Sequence, residues 1–223
     1  MLTTKFGIEI EFTGITRAKA AEVTAAFLNG TIERTHDYYD TYKIHTADGR
    51  TWKLMSDGSI DCRRKENGRT VSAGRDYSVE LVSPILTYRE DIEILQELVR
   101  VLRRAGGFAN NSCGIHIHLN GADHTPRSIR NFINIVASKN DLFYKALQIA
   151  PERMNYCKKM DSLLVEKVNH RKPKTMEDIE KLWYEGYSES TRQHYHKSRY
   201  HFLNLHSFFT GNHTVELRGF NSE

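Results

Sequence analysis

The sequence predicts an α+β fold in which helices cover one face of a mainly antiparallel sheet. Four segments alternate apolar and polar residues with a period of two, the pattern of a half-buried strand. They are Gly7 to Phe12, Tyr77 to Pro84, Cys113 to Leu119 and Thr214 to Phe220. Helical stripes and a hairpin lie between these segments, and such short connections favour antiparallel pairing.

The first part of the chain adds a helix and a hairpin to the first strand. Residues 16–28 are predicted to form a helix that begins at an N-cap threonine and stops at Gly30. Strands Thr41 to Thr46 and Arg50 to Met55 are expected to pair through the turn at Asp48-Gly49. Asp-Gly favours a hairpin turn because both positions tolerate positive φ.

The middle of the chain is predicted to contain a loop, a strand and the clearest helix. Cys62 to Asp76 is polar and aperiodic, which indicates a surface loop, and we expect it to gate substrate. Strand Val79 to Ile85 is closed by Pro84, which cannot donate to a ladder. Arg89 to Arg104 carries one apolar stripe and ends at Gly106-Gly107.

The last part of the chain is predicted to be mostly helical before it returns to the sheet. Helices are expected from Thr125 towards Ile149, from Met154 to Lys167 and from Thr175 to Tyr184. Arg199 to His206 is predicted to be a strand, and Thr210 to Asn212 a turn into the last strand.

Length and composition limit the class of protein. The 223 residues suit a single domain, 1–223, with a helical segment at about 125–186. Hydrophobic residues make up 39% of the chain, but no apolar run approaches the length that spans a membrane. The three cysteines are odd in number and lack a zinc spacing, which predicts reduced thiols and a cytoplasmic location. The net charge of +4 is compatible with nucleotide phosphates or a solvated surface.

Charged side chains recur on one face of all four strand segments. The set comprises Glu9, Glu11, Glu80, His116, His118, Glu216 and Arg218. Any one segment fits an antiparallel sheet with a solvated face. Carboxylates are disfavoured in strands, however, so their recurrence predicts a charged cleft on the face that the helices leave open.

The chemistry that suits such a cleft is phosphoryl transfer. Clustered carboxylates repel one another unless a cation lies among them, and carboxylate oxygens suit Mg²⁺ or Mn²⁺. Arg218 is planar and always charged, so it matches a pair of phosphate oxygens. Positioning and charge neutralisation carry most of the catalysis in this reaction class. The chain lacks the G-x-x-x-x-G-K-[ST] motif, so any use of ATP does not involve a P-loop.

Other interpretations stay open from the residues alone. His116 and His118 with a glutamate could hold Zn²⁺ in a hydrolase, although the other charged strand positions would then have no role. A basic nucleic-acid-binding module is disfavoured, because acids on the open face repel phosphates. Glu216 and Arg218 could also form an ordinary cross-strand pair, and Asp57 could be only a turn former.

Five short motifs occur in a characteristic order. They are Gly7-Ile8-Glu9-Ile10-Glu11-Phe12, Ser56-Asp57-Gly58-Ser59, Glu80-Leu81-Val82-Ser83-Pro84, Gly114-Ile115-His116-Ile117-His118 and Thr214-Val215-Glu216-Leu217-Arg218. This series resembles the amidoligase family, phage and bacterial relatives of glutamine synthetase and glutamate–cysteine ligase. The resemblance runs from residue 7 to residue 221.

The resemblance implies a glutamine-synthetase-like carboxylate–amine ligase fold, with ATP and two or three Mg²⁺ ions on a curved antiparallel sheet. ATP would phosphorylate a small-molecule or peptide carboxylate, and an amine would displace the phosphate. Homo-oligomers and a chain that continues past the last strand are also typical of these relatives.

The resemblance also implies roles for individual residues. The implied metal ligands are Glu9, Glu11, Glu80, His116 and Glu216. The implied catalytic residues are Arg218, Glu80 and His116. The implied nucleotide-binding residues are His118, Arg218, Arg199 and Asn204. The implied substrate-binding residues are Asp57 and Ser59.

Overall fold

The computed structural model describes residues 3–211 and 213–222. The strands are β1 (Lys5–Phe12), β2 (Thr31–Arg34), β3 (Tyr42–His45), β4 (Thr51–Met55), β5 (Arg63–Glu66), β6 (Arg69–Ser72), β7 (Val79–Val82), β8 (Leu86–Thr87), β9 (Gly114–Asn120), β10 (Leu203–Asn204) and β11 (Thr214–Asn221). The α-helices are α1 (Arg17–Leu28), α2 (Tyr88–Arg104), α3 (Pro126–Ala146), α4 (Ser162–Arg171), α5 (Met176–Tyr184) and α6 (His206–Phe209). The predicted α+β class with mainly antiparallel pairing is confirmed.

The described residues divide into two compact units. The first contains residues 3–115 with 221–222, and the second contains residues 116–211 and 213–220. No helix among the residues that the structure describes combines the length and the apolar character needed to cross a bilayer.

The first unit is built on antiparallel strands in the order β1, β7, β4, β3 and β2. The strand β1 pairs with β7 through Glu9 to Phe12, and with β8 through Lys5 and Phe6. Pro84 lies in the break between β7 and β8, where its missing N–H removes no ladder bond. The predicted hairpin of β3 and β4 is confirmed, and β2 extends it by one strand.

Apolar side chains from the strands pack against α1 and α2 to form the core of the first unit. Members with no exposed surface include Ala20, Ile44, Leu54, Leu81 and Leu98. Burial of each large side chain contributes about 1.5–3 kcal/mol. Because strand side chains alternate, these contacts direct the intervening polar residues of β1 and β7 to the opposite face.

The prediction of a surface loop from Cys62 to Asp76 was wrong. This segment forms the two-stranded hairpin β5–β6, followed by a 3₁₀ turn at Arg75–Tyr77. Asn67 and Gly68, at the tip, both have positive φ, at 49° and 77°. Asn-Gly is a strong hairpin signal for this reason, and it was present in the sequence.

The second unit combines β9, β10 and β11 with four helices. The strand β11 lies between β10 and β9 and is antiparallel to β10. Helices α3, α4 and α5 share one core, whose members with at most 1% exposure include Ile129, Ile133, Val168, Ile179 and Leu203. Thr125 and Thr175 cap α3 and α5, as predicted.

Several boundaries differ from the sequence prediction: the strand expected over Val79 to Ile85 ends at Val82, and the helix expected to run towards Ile149 ends at Ala146. The helix expected at Met154 to Lys167 is α4, which begins after Asp161 because that side chain accepts a hydrogen bond from the Leu163 N–H. The first helix has its predicted bounds, but the left-handed residue that follows it is Asn29, with φ of 51°, rather than Gly30.

The strand expected over Arg199 to His206 is limited to β10. The turn predicted at Thr210 to Asn212 includes Asn212, which lies outside the described residues.

Candidate active site

Two glutamates face each other across the first two strands of the first unit. Glu11 on β1 is directly opposite Glu80 on β7 in the antiparallel register. Both are buried, with exposed fractions of 3% and 8%. Like charges in directly opposed positions destabilise a sheet, so this pair is costly unless a cation or a proton lies between the carboxylates.

A third carboxylate joins this pair from a turn. Asp57 lies two residues after β4, and Met55 at the end of β4 pairs with Glu80. Glu11, Asp57 and Glu80 each place one carboxylate oxygen within 4.8 Å of the other two. We call these three residues the carboxylate cluster. They offer only oxygen donors, which is the set that hard divalent cations prefer.

Hydrogen bonds fix the orientation of two members of the cluster. Oε2 of Glu11 accepts from the N–H of Gly114 at 2.6 Å. Oδ1 of Asp57 accepts from the N–H and the hydroxyl of Ser59, at 2.7 and 2.5 Å. Ser59 therefore orients the carboxylate of Asp57. Glu9, on the same face of β1 as Glu11, is half-buried and opposite Val82.

The second unit holds a buried guanidinium between a glutamate and a backbone carbonyl. Nη1 of Arg218 donates to Oε1 of Glu216 at 2.5 Å, and its Nε donates to the oxygen of Tyr156 at 3.3 Å. The side chains of Arg218 and Glu216 are only 7% and 3% exposed. The other oxygen of Glu216 accepts from Nδ2 of Asn204 at 2.5 Å.

The two histidines of β9 contact β11 of the same unit. Nδ1 of His116 lies 3.8 Å from Oε1 of Glu216, and His116 is 4% exposed. Nδ1 of His118 lies 3.5 Å from the hydroxyl of Thr214. His116 is thus close to the carboxylate that also holds Arg218.

Arg199 makes contacts of a different kind. Its Nη1 donates to the oxygen of His194 at 3.1 Å, and its guanidinium lies over the rings of Tyr195 and Tyr200. Asn204 thus hydrogen-bonds Glu216, whereas the hydrogen bond of the Arg199 guanidinium goes to His194.

Three further residues support these site residues directly or through a neighbour, although sequence analysis did not select them. Ser78 hydrogen-bonds the backbone of Asp57, and Arg17 donates to the oxygen of Ser78. Arg153, 2% exposed, donates to the oxygens of Arg218 and Phe220 on β11. An arginine on the alanine-rich face of α1 was an available signal, whereas nothing marks Ser78 or Arg153 in the sequence.

The chain matches a known protein family over almost its whole length. A model of the family described as "Putative amidoligase enzyme" matches residues 2–223. A search of curated proteins found no significant match. The family match includes all three residues of the carboxylate cluster and the strand β11, which carries Arg218. The chain therefore belongs to the putative amidoligase family, whose name describes enzymes that form amide bonds.

Proposed function

We propose that this protein is an ATP- and Mg²⁺-dependent carboxylate–amine ligase. ATP transfers its γ-phosphoryl group to a substrate carboxylate, which gives an acyl phosphate and ADP. An amine then attacks the acyl carbon and displaces inorganic phosphate, which leaves an amide and releases one proton. The substrates in this proposal are a small-molecule or peptide carboxylate and an amine.

The carboxylate cluster is the observation that carries the proposal. Three carboxylates within 4.8 Å, two of them buried, form a site that a divalent cation would stabilise by removing their mutual repulsion. Mg²⁺ and Mn²⁺ fit this oxygen-only donor set, and such ions are commonly bound by a few carboxylates together with substrate phosphates. A bound Mg²⁺ would neutralise charge on the phosphates of ATP.

The residues of the cluster have separate roles in this proposal. Glu11 and Glu80 supply carboxylates from rigid strands, and Glu11 is oriented by the N–H of Gly114. Asp57 supplies the third carboxylate with Ser59 holding one of its oxygens. This assigns Asp57 to the metal, whereas the family resemblance alone placed it at the substrate. Glu9 stays a predicted metal ligand.

Arg218 supplies the cation that neutralises the transferring phosphoryl group. Glu216 holds the guanidinium through a hydrogen bond from Nη1, and this planar group suits phosphate oxygens. Asn204 acts through Glu216, because it satisfies the second oxygen of that carboxylate. His116, His118 and Arg199 stay predicted contributors to metal and nucleotide binding.

The reaction can be tested without knowing the natural amine. Hydroxylamine replaces the amine and converts an acyl phosphate into a hydroxamate, which gives a coloured iron complex. We expect the wild-type protein, with ATP, Mg²⁺ and a panel of amino-acid and peptide carboxylates, to form hydroxamate and ADP in equal amounts. Omission of Mg²⁺ should abolish both products.

The variant Glu80→Gln tests whether the reaction depends on the carboxylate cluster. We expect turnover to fall at least about 100-fold, because a neutral amide cannot replace a metal-binding carboxylate. The melting temperature of the metal-free protein should not fall, because the change removes one of two opposed buried charges. Glu33→Gln, at an exposed position on β2, is the matched control and should keep full turnover. Equal activity of Glu80→Gln and the wild type would contradict the proposal.

A further inference from the structure

Asp57 differs from the other two members of the carboxylate cluster in how its backbone is held. Glu11 and Glu80 belong to paired strands, so the ladder of β1 and β7 sets their positions. Asp57 lies in the turn after β4, beyond the paired residues of that strand. A metal site tolerates little displacement of its ligands, so another contact must fix Asp57.

One hydroxyl satisfies both backbone groups of Asp57. Oγ of Ser78 accepts from the N–H of Asp57 at 2.9 Å and donates to its carbonyl oxygen at 2.6 Å. Ser78 is only 1% exposed, so water cannot substitute readily for these bonds. It also lies two residues before Glu80 on the same backbone segment. A single side chain thus ties the turn of Asp57 to the strand of Glu80.

A buried arginine holds Ser78 in turn. Nη1 of Arg17, on α1, donates to the oxygens of Ser78 and Arg75 at 2.8 and 2.5 Å. Its Nη2 forms an ion pair with Asp40 at 2.8 Å, and its side chain is 5% exposed. The guanidinium fork therefore fixes the turn before β7 through charge-assisted bonds.

We infer that Ser78 is a positioning residue for the divalent-cation site, and that Arg17 holds Ser78 in place. This inference rests on the proposed function, because it takes the carboxylate cluster as the cation site. Ser78 touches neither cation nor substrate in this arrangement. It sets where the Asp57 carboxylate lies relative to Glu80, and its loss should weaken cation binding without removing a ligand.

The test is the affinity of the metal-free protein for Mn²⁺, measured by calorimetry on Ser78→Ala and on Ser83→Ala. Ser83 is the matched control: it follows the other end of β7, accepts from the N–H of Ile8 at 2.9 Å and donates to the oxygen of Pro84. Both variants should lower the melting temperature, because each leaves a backbone donor without its partner. We expect only Ser78→Ala to weaken Mn²⁺ binding, by about 10- to 100-fold, the range for groups that orient metal ligands.

The outcomes separate this inference from the proposed function. If the wild type binds no Mn²⁺, the proposed function itself fails. If the wild type binds Mn²⁺ and the affinity of Ser78→Ala is no weaker than that of Ser83→Ala, the role of Ser78 is refuted while the cation site stands. Should Ser78→Ala not fold, Ser78→Cys keeps the size and weakens both hydrogen bonds. An unchanged Mn²⁺ affinity for Ser78→Cys would then refute the role as well.

Discussion

Glu216 has hydrogen bonds on both of its carboxylate oxygens, one from Arg218 and one from Asn204. A buried carboxylate with both oxygens satisfied is an effective anchor for a guanidinium, because loss of the guanidinium removes a compensating charge and loss of the amide removes a hydrogen-bond donor. This geometry supports a role for Glu216 in holding Arg218, beside its predicted role as a metal ligand. The sequence showed the two residues on one face but not their third partner.

Arg218→Lys tests the role of the guanidinium. Lysine keeps the positive charge that Glu216 needs but lacks the planar fork that matches a phosphate. We expect hydroxamate formation to fall by about 100-fold, the typical effect of losing one transition-state donor, with a smaller effect on ATP affinity. Steady-state kinetics with ATP as the varied substrate separates the two effects.

Arg153→Lys is the matched control for this prediction. Arg153 is also buried and donates to backbone oxygens of β11. We expect a lower melting temperature and nearly normal turnover of the folded protein at low temperature. If Arg218→Lys loses no more turnover than Arg153→Lys, the guanidinium of Arg218 acts only in folding.

At this scale, sequence periodicity predicted the faces of the strands but not the side-chain partners. The alternation in β1 and β7 placed Glu11 and Glu80 on the polar face, and the register then set them opposite each other. Asp57 reaches the same cluster from a turn, where no periodicity applies. Ser78 hydrogen-bonds Asp57, which lies 21 residues earlier, and Arg17 donates to Ser78, which lies 61 residues later. No local sequence pattern could identify either contact.

Whole elements were predictable where their own residues carry the start or stop signal. Threonine side chains accept hydrogen bonds from backbone N–H groups at the starts of α1, α3 and α5, as their positions indicated. The prediction of a strand over Arg199 to His206 was wrong for most of its length. Side chains in and beside this segment accept hydrogen bonds from backbone N–H groups that a strand would use. Oδ1 of Asn204 accepts from the N–H of His206, and Nδ1 of His196 accepts from the N–H of Ser198.

The histidines around this segment should make the stability of the second unit depend on pH. Burial lowers the pKa values of His196, His201 and His206, and proximity to His196 lowers the pKa of His206 further. The ring of His206 accepts from the hydroxyl of Tyr184 at 2.7 Å and donates to the oxygen of Gln193 at 3.0 Å. In the neutral ring the proton therefore lies on Nε2, because the carbonyl oxygen of Gln193 can only accept, and Nδ1 accepts from Tyr184.

The direction of the pH effect follows from these lowered pKa values. Above the ordinary histidine pKa of about 6.5, the rings are neutral in both the folded and the unfolded states. Below about pH 6.5, these histidines bind protons in the unfolded chain, whereas in the folded unit their lowered pKa values keep them neutral. The free energy of unfolding therefore falls as the pH falls. Each fully excluded proton changes that free energy by up to about 1.4 kcal/mol per pH unit.

Trp183 is a fluorescence probe that lies in the second unit. It is 4% exposed and donates to Ser198, and Trp52, the other of the two tryptophans, lies in the first unit. In a Trp52→Phe background, denaturant unfolding followed by Trp183 fluorescence should show stability falling from pH 7.5 to pH 5.5. His206→Gln should reduce this slope, whereas the exposed-site control His170→Gln should not. A stability that does not change over this range would contradict the assignment.

On the scale of the whole molecule, predicted site residues occur in both compact units. The first contains Glu9, Glu11, Asp57, Ser59 and Glu80, and the second contains His116, His118, Arg199, Asn204, Glu216 and Arg218. The family match extends over both units. Order along the chain was therefore the most informative sequence feature, because each short motif is too common to identify a family alone.

The measurement that tests the central claim most directly is a calorimetric titration with ATP, in Mg²⁺ and then in EDTA, with elemental analysis of the same purified protein. The account predicts ATP binding that requires Mg²⁺, is lost in Glu80→Gln and occurs without stoichiometric zinc. Stoichiometric zinc with no binding of ATP would contradict the account and favour a hydrolase that uses His116 and His118.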